Sequence, residues 1–284
     1  MTPRVFEHVV DAGDHRLSAT VWDFESDAVA DVVLAHGGAA HRGWWSAVAP
    51  LLRGARRVVA FDFSGHGDSD WHPPYSLDLW AGDLVAVASA LLRPNPVLVG
   101  HSMGGQVALH CAQQHADVRG VLLLDSPLRR DDPDVVKRRE RIAARPNPTW
   151  SSLEDAIASY RTYPASPAMP DDLRALIATQ AFVRREEGWV QKFDPLMYDR
   201  PQVPEDFVRA ANVPTRWIRA QDGLIDDEMA AAIASGLGPS GWVVPVADVG
   251  HNLLLEQPRA TAWLASAFLA EVTRDDALAG RRGR

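Results

Sequence analysis

Cysteine occurs once in the chain, at Cys111, so no internal disulfide can form and stability must come from an apolar core. Cys111 lies among apolar residues and reads as a packing group. Long apolar runs are missing as well: none approaches the ~20 residues that a bilayer requires. The opening Met1-Thr2-Pro3-Arg4 has no apolar signal core, so the expectation is a cytoplasmic protein with no membrane partner. Positive charge is in short supply, with 29 Lys and Arg against 37 Asp and Glu and a formal net charge of −8. No basic cluster interleaved with aromatics occurs, which argues against a nucleic-acid partner. The ten histidines show no His-x-x-x-His or Cys/His ligand spacing, so no metal and no other cofactor is expected. Internal repeats and low-complexity tracts are absent too, and nothing in the composition sets an oligomeric state.

What is present suits one sizeable core. A chain of 284 residues, 46% of them hydrophobic, is long enough for a single α/β domain with an insertion. Its most informative stretch is Val97-Leu98-Val99-Gly100-His101-Ser102-Met103-Gly104-Gly105-Gln106. The apolar run reads as a buried strand, and the segment from Gln106 through Leu109 and Ala112 reads as a helix. Between them lies a G-x-S-x-G. Serine on so tight a strand-to-helix turn takes a strained conformation, and the flanking glycines give the neighbouring chain room to pass. Ser102 then stands at the C-terminal end of a sheet, and the Met103 N–H, opening the helix, can point at a developing oxyanion.

The other elements follow in order. Residues 6–10 and 17–22 flank the turn cluster Asp11-Ala12-Gly13-Asp14 and predict an antiparallel hairpin. A strand over 31–35 runs into His36-Gly37-Gly38-Ala39-Ala40-His41, with a helix expected over 45–52. A strand over 57–61 precedes Asp62-Phe63-Ser64-Gly65-His66-Gly67-Asp68-Ser69, a glycine-spaced turn lacking the Gly-Lys-Ser/Thr ending of a phosphate loop. A helix is expected over 77–92, ending at Arg93-Pro94-Asn95-Pro96, and a strand over 118–124. After Asp125-Ser126-Pro127 the composition shifts toward charge and proline. Short helices are expected near 134–144, 153–160, 171–187 and 205–211. Strands over 214–220 and 242–246, a helix over 258–272 and a frayed tail at 280–284 complete the chain.

His36-Gly37-Gly38, Gly65-His66-Gly67-Asp68-Ser69, Gly100-His101-Ser102-Met103-Gly104-Gly105 and Gly250-His251, in that order, resemble the α/β-hydrolase superfamily, in particular its capped bacterial serine hydrolases. The implied fold is a mostly parallel eight-stranded sheet flanked by helices. Its core spans 1–127 and 213–284, and an inserted helical cap spans 128–212. The resemblance implies Ser102 as nucleophile, His251 as general base, and the backbone N–H groups of Gly38 (Gly37 as second choice) and Met103 as oxyanion hole. A serine hydroxyl needs an imidazole to take its proton, and that imidazole needs an acid to hold one tautomer. Two aspartates compete for this place. Asp222 follows a strand where most of the superfamily carries its acid. Asp125 follows the strand after the nucleophile helix, and the runs Leu124-Asp125-Ser126-Pro127 and Gly188-Trp189-Val190-Gln191 look like a branch that uses this aspartate, so Asp125 is the expected acid and Asp222 the alternative. His36, His66 and His101 are expected to support loops.

With serine rather than aspartate at position 102, dehalogenase and epoxide-hydrolase chemistry is disfavoured. Acyl transfer to water remains, with a small hydrophobic ester or lactone as the expected partner. Trp45 and Trp189, together with Trp44, Trp150 and Phe193, are candidates to line the pocket. The alternatives are a cofactor-free perhydrolase of haloperoxidase type, a carbon–carbon bond hydrolase, and a non-catalytic binding protein on the same fold.

Overall fold

A computed structural model describes residues 2–115, 117–128, 133–199, 203, 207–208, 213–239 and 241–274. The hairpin β1 (Arg4–Asp11) and β2 (Arg16–Asp23) opens the chain. Then come β3 (Ala30–Ala35), β4 (Ala55–Phe61), α1 (Leu77–Leu91), β5 (Val97–His101), α2 (Met103–Gln114) and β6 (Gly120–Leu124). An insertion follows. After it, β10 (Thr215–Asp222), α6 (Asp227–Leu237), β11 (Gly241–Gly250), α7 (Leu253–Glu256) and α8 (Pro258–Val272) close the fold. The eight core strands lie in the order β1-β2-β4-β3-β5-β6-β10-β11. Only β2 runs against the rest, so the expected mostly parallel eight-stranded sheet is present.

The central strands are apolar on both sides because both faces are covered. Val32, Leu34, Val97, Val99, Leu122 and Leu124 pack on one face with Phe268 and Leu269 of α8. Val33, Leu98, Val121 and Leu123 pack on the other with Leu84 of α1, Leu109 of α2 and Ile233 of α6. Parallel registers such as Ala35↔Gly100 and His101↔Leu124 bring the C-terminal strand ends level. The loops after β3, β4, β5, β6, β10 and β11 therefore gather along one edge.

The insertion contains α3 (Pro133–Ala143), β7 (Thr149–Trp150), α4 (Leu153–Ser159), α5 (Asp171–Gln180), β8 (Phe182–Arg185) and β9 (Gly188–Gln191), then a 3₁₀ turn at Pro195–Asp199. It is not purely helical. The helix expected over 171–187 stops at Gln180, and β7-β9-β8 form a small antiparallel sheet. Phe182 and Val183 favour a strand, and Gly188, at φ 141°, takes the turn that only glycine adopts freely. Phe182 meets Trp150 edge-on, with ring centroids 5.3 Å apart. The helix expected over 45–52 is replaced by two 3₁₀ turns, Arg42–Trp45 and Ala49–Leu51, because Pro50 cannot donate within a helix. The helix expected over 205–211 and the tail at 280–284 fall outside the described residues.

Candidate active site

Ser102 occupies the one-residue turn between β5 and α2 at φ 52°, ψ −118°. Such a conformation costs about 1–3 kcal/mol and persists only where the surroundings enforce it. Here the Ser102 N–H donates to Leu124 O at 3.0 Å, pinning the turn to the end of β6. A Cβ on Gly100 would collide with the Gly104 and Gly105 backbone, and one on Gly104 would collide with the Ala35 and His36 carbonyls. Met103 is the first residue of α2, so its N–H lies among those a helix start leaves without an intrahelical acceptor.

The loop after β3 lies against this turn. An ideal Cβ on Gly37 would sit 3.0 Å from His101 Nδ1 and 3.3 Å from Ser102 Cβ. Gly38 faces two methionines, with Met197 Cε 3.0 Å and Met103 Sδ 3.7 Å from the corresponding point. His36 fixes the loop's course. Its Nε2 accepts from Phe63 N–H at 3.1 Å, so Nδ1 carries the proton and donates to Gly37 O at 2.7 Å. Complete burial lowers the His36 pKa and keeps the ring neutral.

His251 is buried just beyond β11, and its Nδ1 lies 2.7 Å from Asp125 Oδ2. Asp125, fully buried at φ 41°, also accepts from Leu224 N–H at 2.9 Å and Ala220 N–H at 3.1 Å. Both donors belong to the stretch that carries Asp222. Asp222 itself is exposed at the end of β10, in register with Gly250. Gly223 lets the chain come this close, since a Cβ there would overlap the Asp125 carboxylate. The rest of Asp125-Ser126-Pro127 is held by Trp217 Nε1 donating to Ser126 O and Gln106 Nε2 donating to Pro127 O, at 3.1 and 2.6 Å.

His101 braces the imidazole from the other side. Its Nε2–H donates to the His251 carbonyl at 3.0 Å, and the two rings lie 4.7 Å apart. Burial and the neighbouring His251 hold the His101 pKa well below its usual value, so it stays neutral. His66 approaches Ser64 O and Met197 Sδ at 3.2 and 3.0 Å and pairs with Phe193 of the insertion. Its motif is structural: Asp62 accepts from the Arg42 and Asp68 amides at 2.6 and 2.9 Å, and Ser69 Oγ donates to Asp62 O at 2.6 Å.

The insertion is fastened over this edge. Trp44 Nε1 donates to Tyr160 OH at 3.0 Å, and Asn252 Nδ2 donates to Pro164 O and Ser166 Oγ, both at 2.8 Å. The Trp44 ring lies 6.0 Å from that of His101. Trp45, expected in the pocket, is fully buried in the core cluster with Val32 and Val97; its 3₁₀ turn leaves Trp44 as the tryptophan beside the site. Trp189 is half-buried on β9 and paired with Trp150. Sequence spacing could not find Tyr160, Met197 or Asn252, which reach the site from positions 58 to 150 residues from Ser102. Concavities of about 360 and 320 Å³ open elsewhere, around Cys111 and around Arg42; neither Ser102 nor His251 lines them. Among the described residues no helix is long and apolar enough to cross a membrane.

A solved structure described as "Thioesterase Domain From Curacin Biosynthetic Pathway" superposes with a TM-score of 0.78 at 22% identity, covering 92% of this chain and 99% of that one. In sequence, the chain is 26% identical over 241 residues to Lipase LipV of Mycobacterium tuberculosis (strain ATCC 25618 / H37Rv), covering 82% of this chain and 90% of the relative. It is 27% identical over 264 residues to 2-hydroxy-6-oxo-6-(2'-aminophenyl)hexa-2,4-dienoic acid hydrolase of Metapseudomonas resinovorans, covering 86% of each. Of several other relatives the chain spans less than half the length. A family model described as the alpha/beta hydrolase family matches residues 32–262. The chain belongs to the alpha/beta hydrolase family.

Proposed function

We propose that this hydrolase cleaves a carboxylic ester or lactone bearing a hydrophobic group, through an acyl–Ser102 intermediate. Ser102 Oγ attacks the acyl carbon while His251 Nε2 takes its proton, and the backbone N–H groups of Gly38 and Met103 stabilise the oxyanion. His251 returns the proton to the leaving alkoxide. Water then attacks the acyl-enzyme with His251 again as base, and Ser102 is regenerated with release of the acid. Asp125 holds the His251 tautomer and offsets the charge of the imidazolium. The insertion, residues 128–212, acts as a cap, and Trp44, Tyr160, Met197 and Trp189 supply apolar surface toward the substrate. The observation that carries this reading is the 2.7 Å contact between buried His251 and buried Asp125, on the strand edge where Ser102 is held at φ 52°.

The test is turnover of a panel running from short p-nitrophenyl esters to large aromatic lactones, by the wild type beside Ser102→Ala. Turnover that disappears in the variant is the expected result. A folded wild type that turns over nothing, and leaves a fluorophosphonate probe unreacted at Ser102, refutes the reading. A second reading, hydrolysis of a carbon–carbon bond, is favoured by the similarity to the dienoic acid hydrolase over 86% of both chains. Cleavage of a dienone-type substrate without esterase activity would establish it instead.

A further inference from the structure

The histidines absent from any sequence motif include two that the fold brings together far from Ser102. His15 lies in the turn between β1 and β2, and His72 lies in the loop that follows β4. Their rings stack with centroids 4.8 Å apart and 13° between planes. Both edges address one carboxylate: Asp14 Oδ1 lies 2.8 Å from His15 Nδ1, and Asp14 Oδ2 lies 3.3 Å from His72 Nε2. One ligand atom from each of the three residues falls within 4.8 Å of the other two.

We propose that Asp14, His15 and His72 form a binding site for a borderline divalent transition ion such as Zn²⁺ or Co²⁺, independent of the reaction at Ser102. Three observations carry the proposal beyond a chance surface cluster. The far nitrogen of His15 is already held by a carboxylate, with Nε2 2.7 Å from Asp83 Oδ1. This carboxylate–histidine pairing orients a metal-bound imidazole and raises its basicity. Asp83 is itself fully buried and fixed by the Ser64 N–H and Oγ–H, at 2.9 and 2.8 Å. The two ligand-bearing loops are also fastened to one another: Asp70 N–H donates to Arg16 O at 2.9 Å, and Arg16 N–H donates to Asp70 Oδ2 at 3.0 Å. The loop backbones are therefore already set, and the ion has only the Asp14 and His72 side chains to order.

The donor set decides the class of ion. Two imidazoles and one carboxylate suit Zn²⁺, Co²⁺, Ni²⁺ or Cu²⁺, whereas Mg²⁺ and Ca²⁺ prefer oxygen alone. Bonds of roughly 2.0–2.2 Å about a tetrahedral ion put donors about 3.3–3.6 Å apart. One ligand atom from each residue already falls within 4.8 Å of the others, and closing that set to the tetrahedral spacing requires a turn of the His72 ring, whose side chain is 38% exposed. Asp14, 70% exposed, is free to follow, and water can complete the coordination.

The experiment is calorimetric titration of the chelator-treated full chain with Co²⁺ and Zn²⁺, wild type beside His72→Ala and Asp14→Asn. Both substituted side chains are exposed enough to leave the fold intact, which a melting curve checks. Expected are one ion per chain, a Co²⁺ spectrum with nitrogen-ligand character, and at least a tenfold loss of affinity in each variant. No binding by the wild type overturns the proposal, and so does binding that neither substitution weakens.

Discussion

The assignment of Asp125 has a consequence that can be worked from its hydrogen bonds. The carboxylate accepts three: His251 Nδ1 and Leu224 N–H on Oδ2, and Ala220 N–H on Oδ1. In Asp125→Asn one oxygen becomes an NH₂, which cannot accept. If NH₂ faces Oδ2's partners, it opposes the Leu224 amide and forces His251 Nδ1 to accept. The proton of the neutral imidazole then sits on Nε2, the atom proposed to take the Ser102 proton, and the ring cannot act as base. If NH₂ faces Ala220, the tautomer survives at the cost of a donor-to-donor clash and the lost negative charge. The first orientation produces the tautomeric failure known from serine-protease triads, where Asp→Asn lowers kcat about 10⁴-fold. At about 1.4 kcal/mol per tenfold, that amounts to about 5.5 kcal/mol of transition-state stabilisation. Asp222→Asn, at an exposed strand end, is expected to stay within about twofold of wild type. The assay is kcat on the best ester of the panel, with the rate of fluorophosphonate labelling as a second readout and thermal melts to verify folding. A larger loss in Asp222→Asn than in Asp125→Asn, with both variants folded, refutes the assignment.

Three other outcomes are expected. Gly104→Ala places a methyl against the Ala35 and His36 carbonyls, so it should destabilise the protein by about 3 kcal/mol or more in urea unfolding, the upper range of overpacking. Tyr160→Phe removes the acceptor of the buried Trp44 Nε1–H; it should cost about 1–3 kcal/mol of stability and change KM more than kcat. His15 has its pKa raised by Asp14 and Asp83 against an opposing desolvation, so its contribution is complete below the unfolded value of about 6.5 and is lost as pH rises through the folded value. His15→Asn, compared with wild type in chelator, should therefore lose more stability at pH 6 than at pH 9.

Much of the architecture was legible because the buried strands are short apolar runs closed by glycine or proline. Val97-Leu98-Val99 and the sharp Gly100–Gly105 turn read directly, since the glycines there answer a steric demand that Gly104 and Gly105 meet in the structure. Elements failed where burial imitated periodicity. Trp45, Val48, Ala49 and Leu52 are all buried, which looks like one face of a helix, yet Pro50 divides the segment into two 3₁₀ turns. The insertion misled for the opposite reason: the helical charge pattern of 171–180 runs into Phe182 and Val183 without a breaker until Gly188. Contacts between core and insertion such as Trp44 with Tyr160 join residues 116 apart, and no local spacing encodes them.

In the proposed assignment of Asp125 as the acid, the loop that carries Asp222 still has a part. Strands β6 and β10 are neighbours, with Leu124 in register with Ile218, so residues just beyond either strand lie within reach of one imidazole. A carboxylate from β6 must still be desolvated and oriented, and its own loop does not supply the donors. The Ala220 and Leu224 amides do, and the missing side chain of Gly223 makes their approach possible. The turn after β10 therefore surrounds the Asp125 carboxylate, and a sequence signal for that turn does not by itself identify Asp222 as the acid. The glycine is the better discriminator: Gly223→Ala would drive a methyl into the Asp125 carboxylate. It is expected to lower kcat while leaving KM nearly unchanged, and wild-type kcat in a folded Gly223→Ala would show that the Asp125 carboxylate does not govern His251.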